Sequence, residues 1–310
     1  MKQYCVPAKI GYGVVPDVLV LGNGINRCFG ELDWEQLLQR KQYRECEQRR
    51  LKNMPYPLRA VVETSDCVDK AVESLSDRLC GGVIEREQKE LLELYLGMDY
   101  DAILTTNYSY EAEKALCMEF SCKRGTRNKY RKSTRTGNTL DERLGLYKYN
   151  AIEYGGVVKD IWHIHGEGAR PNSMVLGHYY YGKLTARIEN YIGEFMRRYM
   201  FCQTKKLDFQ PYSWIDYFML GNIYMVGIGM DLSEIDLWWL VNCKKNFNQK
   251  CGAGAIKWYE PNLECLDGFC KKEVAKAYDI HIKTKRVKGA NGYKVYYEKL
   301  AGAVKRDMEE

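Results

Sequence analysis

The stretch Asp17-Val18-Leu19-Val20-Leu21-Gly22-Asn23-Gly24-Ile25-Asn26-Arg27 decides the fold class of this 310-residue chain. Its consecutive apolar residues are typical of a strand that is buried on both faces. Gly22 and Gly24 follow at once, and glycine lets the backbone turn sharply and lets a ligand approach without meeting a Cβ atom. The amides of such a turn, with a helix after it, favour a phosphate. The stretch therefore predicts the first βα turn of a nucleotide-binding α/β domain.

Further apolar segments read as strands, and helical segments separate most of them. These strands are expected within residues 100–108, 157–166, 223–230, 255–259 and 279–283. Strands that alternate with helices predict an α/β fold with a doubly wound, mostly parallel sheet of Rossmann-like form.

We expect one domain over residues 1–310 with two insertions. Residues 31–98 are mostly helical in pattern and too long for a simple crossover, so they are read as a helical insertion. Residues 121–150 carry nine Lys and Arg residues and lack strong periodicity, so they are read as a basic loop insertion. Such a loop could be a solvated segment or could contact phosphate or nucleic acid.

Composition narrows the class of protein further. The net charge of +6 permits anionic ligands without requiring nucleic acid. No apolar run approaches the roughly 20 residues of a membrane span, and the N-terminus does not resemble a signal peptide, so we expect a cytoplasmic protein. The twelve cysteines show no pair with the two-residue gap of most zinc sites. His163 and His178 could pair on a metal, but no third ligand is evident, so we expect no metal.

Glycines or polar residues end four of the predicted strands: Gly22-Asn23-Gly24, Thr105-Thr106-Asn107, His165-Gly166 and Gly227-Ile228-Gly229. Taken singly, each has a structural alternative, since Asn107 could cap the next helix and a strand histidine could be a hydrogen-bonded core residue. Ligands of parallel sheets bind outside the carboxyl ends of the strands. The four ends together therefore favour a ligand site.

The four strand-end motifs, taken in their order along the chain, resemble those of the sirtuin superfamily. They resemble more closely those of bacterial sirtuin-like NAD-hydrolysing effectors of anti-phage defence. Where sirtuins have Gly-Ala-Gly-x-Ser, this chain has Gly22-Asn23-Gly24-Ile25-Asn26. The sirtuin Thr-Gln-Asn is similar to Thr105-Thr106-Asn107, and the His-Gly is similar to His165-Gly166. The late Gly-x-Ser-Leu segment resembles Gly227-Ile228-Gly229-Met230. The resemblance extends over about residues 17–285.

The continuation Ser233, Glu234 and Asp236 resembles that of the bacterial group, and its capping-box spacing predicts that a helix begins there. The chain departs from sirtuins elsewhere. The sirtuin zinc module, with its two Cys-x-x-Cys pairs, is missing, and so is the Pro-Asp-Phe-Arg run after the first turn. Ser109 stands where many relatives have Asp. These departures weaken a protein-deacylase interpretation and leave the NAD-cleaving core untouched.

The resemblance implies an NAD⁺ glycohydrolase that cleaves NAD, as substrate, to nicotinamide and ADP-ribose or a cyclic form of it. Asn107 and His165 are the expected catalytic residues: the Asn107 amide suits orienting water and ribose hydroxyls, and His165 can accept a proton. The residues expected to bind NAD are Gly22, Asn23, Gly24, Asn26, Arg27, Thr105, Thr106, Tyr108, Gly227, Gly229, Met230, Ser233 and Glu260.

Two other functions stay open on the sequence alone: an NAD-dependent protein deacylase, and a non-catalytic module that senses NAD or ADP-ribose. An enzyme that drains NAD would harm its own cell, so we expect its activity to be gated. The gate would be homo-oligomer formation or a separate sensor, which the resemblance implies is a nucleotide-binding protein, an ATPase or an Argonaute-like protein. The effector would then act by abortive infection.

Overall fold

In the residues that the structure describes, the fold is built on one sheet of eight strands in the order β3-β4-β5-β2-β1-β6-β7-β8. The computed structural model describes residues 7–30, 43–52, 54–64, 72–73, 75–76, 79–80, 82–120, 131–132, 145–232, 234–263 and 268–310. The strands are β1 Asp17–Leu21, β2 Ala102–Thr105, β3 Arg131–Lys132, β4 Lys148–Tyr154, β5 Val157–His163, β6 Asn222–Val226, β7 Ile256–Tyr259 and β8 His281–Lys283.

Helices cover both faces of the sheet. Within the described residues they are α1 Glu45–Lys52, α2 Tyr56–Thr64, α3 Arg86–Leu96, α4 Glu111–Leu116, α5 His178–Lys205, α6 Trp214–Leu220, α7 Ile235–Cys251, α8 Phe269–Ala277 and α9 Gly289–Glu309. Short 3₁₀ helices span Asn26–Phe29 and Pro171–Ser173. No helix in this part of the chain is both long enough and apolar enough to span a bilayer.

The period of two along β1 divides the core into two layers. Val18 and Val20 join the apolar cluster formed with α5, α6 and α7. Leu19 and Leu21 face the other way and join the cluster formed with α3, α4 and α9. Because successive side chains of a strand point to opposite faces, an all-apolar strand has to be covered on both sides. The predicted doubly wound α/β fold is therefore confirmed.

The central strands run parallel, from β5 through β2, β1, β6 and β7 to β8. β1 lies between β2 and β6, so the chain leaves β1 toward one side of the sheet and later continues on the other. This arrangement makes a topological switch point at the carboxyl end of β1. Open α/β sheets bind their ligands at such a point.

The antiparallel strand β4 was not expected from the sequence. It begins at Lys148, inside the segment 121–150 that was read as a loop, and pairs with β5. Gly155 and Gly156 join the two strands, and both have positive φ angles, of 59° and 82°. A two-residue turn of this kind is the usual hairpin connection. The Gly-Gly pair is thus the signal that could have revealed β4.

Part of the segment 31–98 packs over the loops that follow β2 and β5. Helices α1, α2 and α3 lie within it. Ala60 of α2 forms an apolar cluster with Val72, Leu75, Tyr108 and Met174. This packing covers the carboxyl-end loops on which the predicted catalytic residues lie.

Candidate active site

The glycine turns after β1 and β6 interlock at the switch point. The Gly22 amide donates to the Val226 carbonyl at 2.9 Å, and the Gly24 amide donates to the Gly227 carbonyl at 2.7 Å. A Cβ on Gly22 would collide with the Gly227 carbonyl oxygen and come within 2.5 Å of Ile228 Cα. Both amides are thus paired within the protein, and both glycines serve the fold. Their predicted part in binding NAD stays a prediction.

Asn26 ties this turn to two helices. Its side chain is buried, and its Nδ2 donates to Asn23 Oδ1 at 3.1 Å and to Glu111 Oε2 at 3.4 Å. Its Oδ1 accepts from Gln88 Nε2 at 3.3 Å. The Asn26 side chain therefore holds the turn against α3 and α4.

Glu260, at the end of β7, shares its surroundings with Arg27 and Lys271. Burial raises the pKa of the Glu260 carboxyl to about 8, although the positive charges of Lys271 and Arg27 oppose the shift. Lys271 Nζ in turn donates to the Gly229 carbonyl at 2.9 Å. The structure therefore brings three of the predicted NAD-binding residues, Arg27, Gly229 and Glu260, to one edge of the sheet.

The loop after β2 is held by its own polar side chains. Thr105 Oγ1 donates to the Leu21 carbonyl at 3.0 Å and accepts from the Asn107 amide at 3.1 Å. The Thr106 amide also donates to the Leu21 carbonyl, at 3.3 Å. The Tyr108 hydroxyl donates to the Val175 carbonyl at 2.7 Å. These contacts fix the backbone on both sides of Asn107, whose own side chain is half-buried.

His163 fixes the Asn107 backbone directly. Its Nδ1 lies 2.6 Å from the Asn107 carbonyl oxygen, and its Nε2 lies 2.8 Å from Glu113 Oε1. A carbonyl and a carboxylate only accept, so both ring nitrogens carry hydrogen and the ring is an imidazolium. Burial alone would lower the pKa of His163, but the charge and hydrogen bond of Glu113 outweigh it and raise the pKa to about 9.

His163 is therefore a positioning residue, with both ring nitrogens engaged and neither left for the metal pair considered with His178. Sequence reasoning did not find its partner Glu113. The carboxylate of Glu113 also accepts from Asn150 Nδ2, at 2.8 Å, so the unexpected strand β4 contributes to the same support.

His165 is paired with a buried carboxylate. Its Nε2 lies 2.8 Å from Asp236 Oδ2, and the two side chains are 2% and 1% exposed. Burial alone would lower the pKa of His165, but the Asp236 charge and hydrogen bond, and then the Glu234 charge, raise it above its ordinary value. The Asp236 carboxylate engages Nε2 of the ring, which leaves Nδ1 as the other ring nitrogen. Sequence reasoning placed Asp236 near a helix start and missed its pairing with His165.

Acidic and phenolic groups surround this pair. Burial raises the pKa of Glu234 to about 7, and the charge of Asp236 adds to the shift while that of His165 opposes it. The Tyr181 ring meets the His165 ring edge-on, with centroids 5.4 Å apart. Burial and then the Asp236 charge raise the pKa of the Tyr108 hydroxyl, so Tyr108 also borders the carboxylate. The site thus joins the loops after β2, β5 and β6.

The start of α7 differs in part from its prediction. The helix begins at Ile235, close to the predicted start, but its N-cap residue is Glu234, whose side chain makes no capping hydrogen bond. Asp236 directs its carboxylate to His165 instead. Ser233, the other predicted capping residue and a predicted NAD contact, lies outside the described residues. Met230 is fully buried in the apolar core, side chain and backbone alike, so its predicted contact with NAD stays a prediction.

Two features of the site fit a nucleotide with ribose hydroxyls. Asp236 Oδ1 is buried and accepts no hydrogen bond from the described residues, so a hydroxyl donor would satisfy it. Gly229 faces open space, with no atom within 4 Å of where its Cβ would be.

In the described ranges, no three His, Cys, Asp or Glu side chains meet as a metal site would require.

Comparisons with known proteins assign no family. No protein-family model matches the chain. No curated protein matches it either. The functional argument therefore rests on the geometry of the site and on the motifs themselves.

Proposed function

We propose that this protein is an NAD⁺ glycohydrolase that releases nicotinamide and ADP-ribose or a cyclic form of it. The observation that carries the proposal is the buried His165–Asp236 pair, which lies beside the Asn107 loop at the carboxyl edge of the sheet. This edge, at the switch point, is where sheets of this class bind nucleotides.

The reaction suits a site that has few strong acids. The bond between ribose C1′ and the nicotinamide nitrogen breaks, and its electron pair neutralises the pyridinium, so the leaving group needs no proton. In hydrolysis, a water oxygen forms the new bond to C1′ and gives up a proton. Positioning of the ribose and preorganised dipoles supply most of the acceleration such a reaction needs.

Each residue then has a defined role. The Asn107 side chain orients the water and a ribose hydroxyl, while His163 and Thr105 hold its backbone in place. His165 accepts the proton at Nδ1, and Asp236 holds the ring through Nε2. The edge that contains Arg27, Gly229 and Glu260 is assigned to the adenosine half of NAD.

The test measures nicotinamide release from NAD by the purified protein across a range of protein concentrations. Asn107→Ala and His165→Ala are each expected to lose about 100-fold or more of the activity, which is the scale of general acid–base and positioning effects. The exposed His281 provides the matched control, since His281→Ala is expected to leave release unchanged. Release that survives in both site variants would refute the assignment.

The two alternative functions give different results in the same assay. NAD consumption that requires an acyl-lysine peptide would identify a protein deacylase. Tight NAD binding without release, unaffected by Asn107→Ala, would identify a sensing module. If the enzyme is an NAD-depleting effector of anti-phage defence that is gated by assembly in the cytoplasm, release will rise steeply with protein concentration. If a separate sensor gates it, release will appear only when that partner is added.

Asp236→Asn is expected to change the pH dependence of nicotinamide release. In the wild type, release should rise with pH as His165 loses its proton, with a midpoint above the ordinary pKa of 6.5. Removing the carboxylate charge lowers the pKa of His165, so the midpoint should move to lower pH. The maximal rate should fall about tenfold or more, because a charge-assisted hydrogen bond is lost. Identical midpoints in the two proteins would contradict the role given to Asp236.

A further inference from the structure

A basic cavity lies between the segment that follows β8 and the first half of α9. Its volume is about 320 Å³, within the range of small-molecule sites. The residues that line it are Lys285, Arg286, Val287, Lys288, Gly292, Val295, Tyr296, Lys299 and Leu300. None of the residues predicted to bind NAD is among them. Tyr296 lies near Glu260, since burial and then the Glu260 charge raise the pKa of its hydroxyl, so the cavity adjoins the β7 edge of the candidate active site.

The charge of this cavity has one sign. Lys285, Arg286, Lys288 and Lys299 contribute four cations, and the lining contains no carboxylate. Among the described residues, the ion pairs of this region join Lys283 to Asp307 and Lys294 to Glu87, and none includes the four cations of the cavity. A concave surface whose charged lining residues are all cations concentrates anions.

The segment that carries three of these cations is held in place. Asn262, with a φ of 65°, donates its amide to the Lys285 carbonyl at 2.9 Å and accepts from the Val287 amide at 2.7 Å. Its Nδ2 donates to the Tyr293 hydroxyl of α9 at 2.6 Å. One asparagine thus fixes the loop to the helix, so a ligand would meet cations on a preorganised segment.

The rest of the cavity lining is mostly apolar and aromatic. Val287, Val295 and Leu300 line the cavity beside the Tyr296 ring. The Tyr296 hydroxyl is buried and has no hydrogen-bond partner in the part of the chain that the structure describes. An apolar wall with an unused hydroxyl beside several cations matches a ligand that combines a flat ring with phosphate groups.

We propose that this cavity binds a phosphorylated nucleotide-type small molecule at a site separate from the one that contains Asn107 and His165. The cations contact the phosphates, and the wall of Tyr296, Val295 and Leu300 packs against the base. The neighbouring Tyr297 places its hydroxyl against the Gly24 turn, so the same helix borders both sites. The proposal does not depend on whether the protein cleaves NAD.

The test measures binding of ADP, adenosine and inorganic phosphate to the full chain by calorimetry at low salt. ADP is expected to bind, and adenosine and phosphate to bind more weakly. The double variant Lys285→Glu with Arg286→Glu should weaken ADP binding at least tenfold. Lys305→Glu reverses one charge on an exposed residue of α9 outside the cavity lining, which is the same charge change as Lys299→Glu and half that of the double variant, and it should leave ADP affinity unchanged. If the double variant fails to fold, Lys299→Glu replaces it.

The outcomes separate this site from others. The absence of ADP binding, or equal binding to the wild type and the cavity variant, would overturn the proposal. So would NAD binding or cleavage that falls in parallel with ADP binding in the cavity variant, since the cavity would then belong to the NAD site. A single-stranded oligonucleotide that binds far more tightly than ADP would point to nucleic acid instead and overturn the choice of ligand.

Discussion

Gly22→Ala is expected to destabilise the protein so strongly that little of it folds. The added Cβ would collide with the Gly227 carbonyl oxygen and lie 2.5 Å from Ile228 Cα and 2.8 Å from Gly227 carbonyl carbon. All three atoms belong to the backbone of the turn after β6, and this turn is fixed because it bonds to Gly22 and Gly24. Relief would require two central strands to separate. We expect the free energy of unfolding to fall by about 3 kcal/mol or more, which is a large part of the roughly 5–15 kcal/mol that is typical of a domain.

Gly229→Ala is the matched control for this change. Gly229 is also assigned to the nucleotide site, but open space surrounds the position of its Cβ. Urea denaturation should show a change within about 0.5 kcal/mol, as for most open surface positions. NAD binding should nevertheless weaken in this variant if the site is as proposed. Equal stability of Gly22→Ala and the wild type would show that the two turns do not interlock.

The sequence predicts the parts of this molecule that local patterns encode. β1 is apolar at every position after Asp17 because both of its faces are buried, and that pattern is visible without a structure. The strand ends that carry Asn107 and His165 were also identified, because polar residues after an apolar strand are unusual. The sheet then brings the loops of both residues to one edge, as the parallel topology requires.

What the sequence does not reveal are the partners of these residues. His165 and Asp236 lie 71 positions apart in the chain, and His163 and Glu113 lie 50 apart. Such pairs form only once the strand order is fixed, and no local pattern encodes that order. Asp236 also has the spacing of a helix-capping residue, so its local signal pointed to a different partner. The roles of His163 and Glu113 depend on long-range contacts in the same way.

The stability of the protein is expected to fall as the pH rises from 6.5 to above 9, because His163 has to remain charged in the folded state. The pKa of His163 is raised from 6.5 to about 9 by Glu113, against the opposing effect of burial. A group whose pKa is higher in the folded state stabilises the fold fully below its unfolded pKa. This contribution is lost as the pH passes through the folded pKa. The shift corresponds to about 3 kcal/mol, since one pKa unit is about 1.4 kcal/mol.

His163→Gln isolates this contribution from that of the other titrating groups. The pKa values of Glu234 and Glu260 are raised to about 7 and about 8, so ionisation of these two carboxyls also destabilises the fold as the pH rises. The pH dependence of the wild-type stability alone therefore does not identify the contribution of His163. Urea denaturation at pH 6 and pH 9.5 should show that the variant is much less stable than the wild type at pH 6. At pH 6 the variant leaves Glu113 without its cationic partner and the Asn107 carbonyl without the hydrogen bond from His163. Breaking such a buried pair lowers the free energy of unfolding by about 3–5 kcal/mol. At pH 9.5 the difference should shrink by about 3 kcal/mol.

The exposed His281 gives the control for this experiment. His281→Gln should match the wild type at both pH values, because its side chain is not enclosed by the fold. If His163→Gln kept the full pH dependence of the wild type, His163 would be neutral in the folded protein. The Asn107 backbone would then be held without an imidazolium, and the support of the loop after β2 would have to come from Thr105 and Tyr108 alone.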